Sequence, residues 1–178
     1  MSDTAPAQGS PFWRFSLGFY RQPGVAEACI ALQEEAGVDV NLLLFLLWLA
    51  SERRQLSAAE VAELESRIAA WRDTAVIPLR NLRRALKTPP PLIAAGNAEA
   101  FRTRIKAVEL EAERLQQEAM YDLARALPLG REAAAPQAAA AANIAAFERM
   151  NGTPFGNAAV ETVLKAFAAA VSLPSGGA

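Results

Sequence analysis

The sequence predicts an all-α fold, a single-domain helical bundle of seven or eight helices around a central apolar helix. Alanine and leucine dominate the 178 residues while β-branched residues are sparse, which favours helix. No segment alternates apolar and polar side chains with the period of a strand, so no sheet is expected. Finally, Leu42-Leu43-Leu44-Phe45-Leu46-Leu47-Trp48-Leu49-Ala50 is nine apolar residues in a row, a helix with no polar side that must be covered all round. At 1.5 Å per residue this run reaches about half the hydrocarbon thickness of a bilayer, and Ser51-Glu52-Arg53-Arg54 closes it with charge, so no membrane span is expected.

Taken in order, Ser10-Pro11 reads as an N-cap with proline at N1, opening a helix to Tyr20. Its Phe12, Phe15 and Phe19 form one stripe and Trp13, Leu17 and Tyr20 a second, and the helix is expected to dock on the central one. Gln22-Pro23-Gly24 breaks the chain before a helix from Val25 to Ala36, where Gly37 fits the stop and Asp39 the cap of the central helix, 39–54. Ser57-Ala58-Ala59-Glu60 is a capping box opening a helix with Val61, Leu64, Ile68 and Trp71 at core spacing. Pro78 must fall in a first turn or at a kink. Beyond it Leu79, Leu82 and Leu86 are expected to point inward, beside Arg80, Arg83, Arg84 and Lys87.

Thr88-Pro89-Pro90-Pro91 ends that helix and serves as a rigid connector. Asn97 is the expected cap of the longest element, 98–127, whose Phe101, Ile105, Val108, Ala112, Leu115, Ala119, Leu123 and Ala126 form the expected core stripe over about 45 Å. Arg104, Glu111, Glu118 and Arg125 repeat every seven residues on the outer face. The alanine-rich stretch 131–142 reads as a loop before Pro136 and a helix after it, with Ile144, Phe147 and Met150 as its core edge. Asn151-Gly152-Thr153-Pro154 turns the chain into a last helix capped by Asn157 and carrying Val160, Leu164, Phe167 and Val171. One domain, 11–172, is expected, with flexible termini at 1–10 and 174–178.

The chain holds no histidine and one cysteine, Cys29. That removes the usual zinc, haem, copper and di-iron ligand sets and every triad with a histidine base. No metal, cofactor or catalytic residue is therefore expected. Cys29 sits on the apolar face of its helix, as a small buried hydrophobe would. A lone cysteine closes no internal disulfide, and Met1 to Ser10 carries no signal-peptide pattern, which points to the cytoplasm.

Net charge is −1, unevenly spread: residues 1–71 carry five basic and nine acidic side chains, 72–106 eight and two, and 107–178 five and eight. The middle is a basic island.

The strings Phe12-Trp13-Arg14-Phe15-Ser16-Leu17, Pro23-Gly24-Val25, Gly37-Val38-Asp39-Val40-Asn41-Leu42-Leu43-Leu44-Phe45 and Pro78-Leu79-Arg80 with Leu82-Arg83-Arg84 together resemble a family of short conserved hypothetical proteins of proteobacteria. The resemblance spans Phe12 to Leu127 and implies an all-helical cytosolic protein. It carries over no catalytic residue.

Three constellations are candidates for function. Arg72, Arg80, Arg83, Arg84 and Lys87, with Arg102 and Lys106 on the long helix, could grip an anionic ligand, an acidic protein or an RNA backbone, or could pair internally with Glu109 and Glu113. A pI near 5.6 and the lack of a reader motif disfavour general nucleic-acid binding. Asp39 and Asn41 form a polar pair at the start of the apolar helix, and a buried amide there needs partners in any case. Glu109 and Glu113, with Glu118 and Asp122 beyond them, could act as a carboxylate pair, though simple surface charge explains them better. The functional expectation is a binding module or adaptor presenting a basic helix face to an acidic protein or an RNA-containing assembly. The alternative is a small-molecule module with an apolar cavity and an arginine anchor. Two aromatic stripes on one helix could also complete a homo-oligomer.

Overall fold

The structure, a computed structural model, describes residues 9–172; of the expected flexible termini, 1–10 and 174–178, all but Gly9 and Ser10 lie outside them. Its α-helices are α1 (Pro11–Tyr20), α2 (Val25–Ala36), α3 (Val40–Ser51), α4 (Ala58–Trp71), α5 (Ile77–Ala85), α6 (Ala95–Ala126), α7 (Pro136–Asn151) and α8 (Asn157–Ser172). None is long and apolar enough to cross a membrane.

The punctuation acts as its chemistry predicts. The Ser10 hydroxyl accepts from Trp13 N–H and Asp39 from Leu42 N–H. Gly37 closes α2 in the left-handed conformation at φ 68°. Ser57 and Glu60 form the complete capping box of α4. Pro78 lacks the N–H that would bond the carbonyl of Thr74, and the chain adapts just before it. A π turn over Arg72–Val76 joins α4 to α5, with Ile77 N–H bonding the Arg72 carbonyl.

Helix α3 is the centre, with Leu42, Leu43, Leu44, Phe45, Leu46, Leu47, Leu49 and Ala50 all buried. It packs most extensively on α7 and also against α1, α2 and α6. Helix α1 docks on it through Phe12, whose ring meets Phe45 edge-on at 5.1 Å between centroids. Phe19 meets Phe167 of α8 in the same manner. Burial of side chains of this size contributes about 1.5–3 kcal/mol each.

Four expectations are corrected. First, there is a sheet, though a minimal one: β1 (Arg54–Gln55) pairs antiparallel with β2 (Arg131–Glu132), Arg54 opposite Glu132. Two residues per strand are too few to show a period-2 pattern. The ribbon forms because Arg53 takes a left-handed φ of 58° and Gly130 one of 65°, turning both segments toward each other. A Cβ at Gly130 would stand 2.7 Å from the Gln55 carbonyl oxygen. Gly130→Ala should therefore lose about 2 kcal/mol in urea unfolding; unchanged stability would show the ribbon to be dispensable.

Second, α6 begins at Ala95 behind an Ala94 cap that makes no side-chain bond, so Asn97 lies within its first turn. Third, the apolar stripe of α6 is not its buried face. Of the stripe only Ala112 is buried and Ile105 and Leu123 are half-buried, while Phe101, Val108 and Leu115 are exposed; the rest of the buried face, Ala98, Glu109, Gln116, Gln117 and Met120, lies off the stripe. At 100° per residue the buried face is turned about a quarter turn from the stripe. The reason is partner demand. Asp39 and Asn41 on α3 and the arginines of α5 face α6, and an unpaired charge in such a place costs several kcal/mol, more than leaving each of these apolar side chains half in water. Fourth, Leu82 on α5 is exposed, not inward, with Leu79 and Leu86 half-buried, and Trp71, at core spacing on α4, is exposed as well.

Candidate functional site

Arg80, Arg83, Arg84 and Lys87 form one ridge at i, i+3, i+4 and i+7 along α5 and its C-terminal turn. The ridge lies beside the polar face of α6. Arg83 grips Glu109 with both Nε and Nη2, the latter 3.1 Å from Oε1. Arg80 donates from Nε to Glu109 at 3.3 Å and from Nη2 to Glu113 at 2.8 Å. Glu109 is buried. Burial pushes its carboxyl up, but the hydrogen bonds and charges of Arg83 and Arg80 outweigh that and hold it below the usual range. Glu113 goes the other way. Burial raises its carboxyl, the single Arg80 opposes, and the charges of Glu109 and Asp39 add to the rise.

The π turn places Arg72 at the base of the same wall. Its Nη1 lies 2.5 Å from Glu65 and 3.3 Å from Asp39, and its Nε 3.1 Å from Asp73. Asp39 also receives Gln116 Nε2 at 3.5 Å, while Asn41 Oδ1 accepts from Gln117 Nε2 at 2.7 Å. Arg102 pairs with Glu99 at 2.9 Å. The basic island is thus divided: Arg72, Arg80, Arg83 and Arg102 hold acidic partners within the chain. Among the described residues Arg84, Lys87 and Lys106 make no ion pair.

Those three cations border a groove of about 900 Å³ between α1, α2 and the α5–α6 hairpin, floored by Val40, Asn41 and Leu44 of α3. Its opposite wall is largely apolar, made by Trp13, Leu17 and Tyr20 of α1 and Ile30 of α2, with Ser16, Arg21, Gln33 and Glu34 among them. Arg80, Arg83, Glu109 and Glu113 line the same groove. A smaller pocket on the other side of the α3 N-terminus is lined by Asp39, Arg72, Asp73 and Asn81. The structure therefore brings Asn41, Arg80, Arg83, Arg84, Lys87, Lys106, Glu109 and Glu113 to one groove and leaves Arg72 and Asp39 beside it. Arg102 lines neither cavity.

Sequence reasoning missed two parts of this wall. The second aromatic stripe of α1 is what lines the groove, and its signal was the excess of apolar surface on a helix that needs only one buried face. Gln117 gave no such signal. It is buried, its Nε2 holds Asn41, and its Oε1 has no partner in the groove wall. Cys29 carries no chemistry here: it is buried in the core and burial pushes its thiol up to about 12. No group of three His, Cys, Asp or Glu side chains among the described residues is placed to hold a metal ion.

Residues 11–120, from the first turn of α1 to the middle of the last third of α6, match a family described as a protein of unknown function, DUF2390. No curated protein and no solved structure matches.

Proposed function

We propose that this chain, which belongs to the DUF2390 family of proteins of unknown function, is a non-enzymatic cytoplasmic adaptor that holds an acidic, amphipathic segment of a protein partner in the α1–α2/α5–α6 groove. The observation that carries this reading is the pairing of three uncompensated cations with an apolar wall across one groove. A partner helix or strand with carboxylates on one side and aliphatic side chains on the other would satisfy both walls at once. An RNA backbone would use the cations and leave Leu17, Ile30 and Leu44 without a counterpart, so the protein partner fits better than an RNA-containing one. The inner ion pairs support the reading by fixing the ridge: with Arg80 and Arg83 clamped to Glu109 and Glu113, Arg84 and Lys87 stand in a set register. The same clamp occupies both carboxylates that could otherwise serve as acid and base. Within the matched region we take Asp39–Phe45 as the family's signature, because one residue of it caps α3, anchors Arg72 and receives Gln116.

A second reading, a small anionic amphiphile that also carries a hydroxyl or amide donor for the orphaned Gln117 Oε1, is favoured by a volume within the about 300–1,000 Å³ range of ligand pockets. The two separate in one experiment. Wild-type protein and the Arg84→Glu, Lys87→Glu, Lys106→Glu variant are captured from cells of the source organism, and bound proteins and extracted small molecules are both identified. The adaptor reading expects a specific protein partner depleted about tenfold or more in the variant. An unchanged set of partners would sink it, and loss of a bound anionic lipid or metabolite instead would establish the second reading.

A further inference from the structure

The α6 stripe that its own fold leaves outside has the pattern of a seam. Phe101, Val108 and Leu115 recur at i, i+7 and i+14 and are 42%, 48% and 47% exposed, on one line along the helix. Ile105, half-buried, and Ala119, exposed, continue the seam at the intervening positions with the 3–4 spacing of a helix that packs along another helix, while Ala112, in the same register, is buried within the chain. Single exposed apolar residues are ordinary; an aligned row over about four turns is not. On one flank of the row stand Arg104 and Glu111, seven residues apart. On the other, Trp71 closes over Ala112, its indole N–H 3.0 Å from the Ala112 carbonyl oxygen. The Arg104 guanidinium lies over the Phe101 ring, 5.5 Å from its centroid, and neither Arg104 nor Glu111 has an ion-pair partner among the described residues.

We infer that this face binds a second copy of the chain, with the two α6 helices antiparallel about a two-fold axis at Val108. The occupant follows from the charge pattern. Turning α6 about Val108 sets Phe101 opposite Leu115 of the copy, Leu115 opposite Phe101, and Val108 opposite itself. In the same register Arg104 falls within one residue of the copy's Glu111, and Glu111 within one residue of the copy's Arg104. Both flanking charges are thus answered twice, with no like charges opposed. A parallel pair offers no such match, since its two-fold sets this flank against the copy's other flank, that of Glu109 and Gln116, which is buried within its own chain. The contact is isologous, so it closes at two copies. It lies on the far side of the α5–α6 hairpin from the groove and is independent of what the groove binds.

Sedimentation equilibrium of the full chain tests this. The wild type is expected at twice the 19.0 kDa chain mass at micromolar concentration. Val108→Asp, which sets two carboxylates together on the axis, should raise the dissociation constant about a hundredfold or more while the helical circular dichroism and melting temperature of the monomer are retained. Arg104→Glu alone should weaken the dimer, and Arg104→Glu with Glu111→Arg should restore it, which only the antiparallel register predicts. A wild type of single-chain mass up to about 100 μM would overturn the inference. So would a dimer indifferent to Val108→Asp, or a charge exchange that fails to restore what Arg104→Glu removes.

Discussion

Alanine in place of Asn143 is expected to remove about 3 kcal/mol or more of folding stability, although the residue touches no groove and carries no charge. Its side chain is fully buried in α7. Oδ1 accepts from Leu56 N–H at 2.7 Å, and Nδ2 donates to the carbonyls of Leu46 and Arg54, each at 3.0 Å. One amide therefore ties the central helix and β1 to α7. Removing it leaves the buried Leu56 N–H without its acceptor and takes one donor from each of the Leu46 and Arg54 carbonyls, the first of which keeps its helical bond within α3; an unsatisfied buried group costs about 1–3 kcal/mol before relaxation. Denaturant unfolding measures the loss, and Asn143→Asp should fare little better, since it keeps the acceptor and loses both donors. A loss below about 1 kcal/mol would show that water reaches these groups.

Glu109→Ala should be comparably severe, at about 2–4 kcal/mol, because it leaves the Arg80 and Arg83 guanidiniums half-enclosed and short of their shared anion. The double variant Glu109→Leu, Arg83→Met should recover much of that, since replacing both members of a buried pair by apolar groups removes the uncompensated charge. The acid side of the stability curve gives an independent reading. Glu109 is held below the ordinary carboxylate range, so its contribution is complete above that range and is lost as pH falls through its lowered folded value. Glu113, raised by burial, has the opposite sign: the folded state gains relative to the unfolded one as pH falls through its raised value. In Glu109→Gln the acid-induced loss should be shallower than in the wild type, as followed by urea midpoints at a series of pH values.

Caps, breakers and the central helix could all be read from the residues because each depends on its immediate neighbours. Ser10, Gly37, Asp39 and the Ser57–Glu60 box act within four residues of where they stand, and nine apolar residues in a row can only be a covered helix. The orientation of α6 could not be read in the same way. Its apolar periodicity is genuine, but which face is buried was decided by Asp39, Asn41, Arg80 and Arg83, between 26 and 77 residues away in sequence. The neighbouring placement of Glu109 and Glu113, one step round from the apolar stripe, was the available hint. The β1–β2 ribbon rests on a left-handed arginine and a distant asparagine, neither of which leaves a pattern. The basic island was visible as charge. Its division into clamped and free arginines needed the acidic partners to be placed.

That division is most directly tested by comparing two variants in the same unfolding experiment, Arg83→Gln and the triple Arg84→Glu, Lys87→Glu, Lys106→Glu. If Arg83 is a structural clamp and the other three are free to meet a partner, Arg83→Gln should lose about 2–4 kcal/mol. The triple variant, despite reversing three charges, should stay within about 1 kcal/mol of the wild type. A triple variant as unstable as Arg83→Gln, or an Arg83→Gln protein as stable as the wild type, would contradict it.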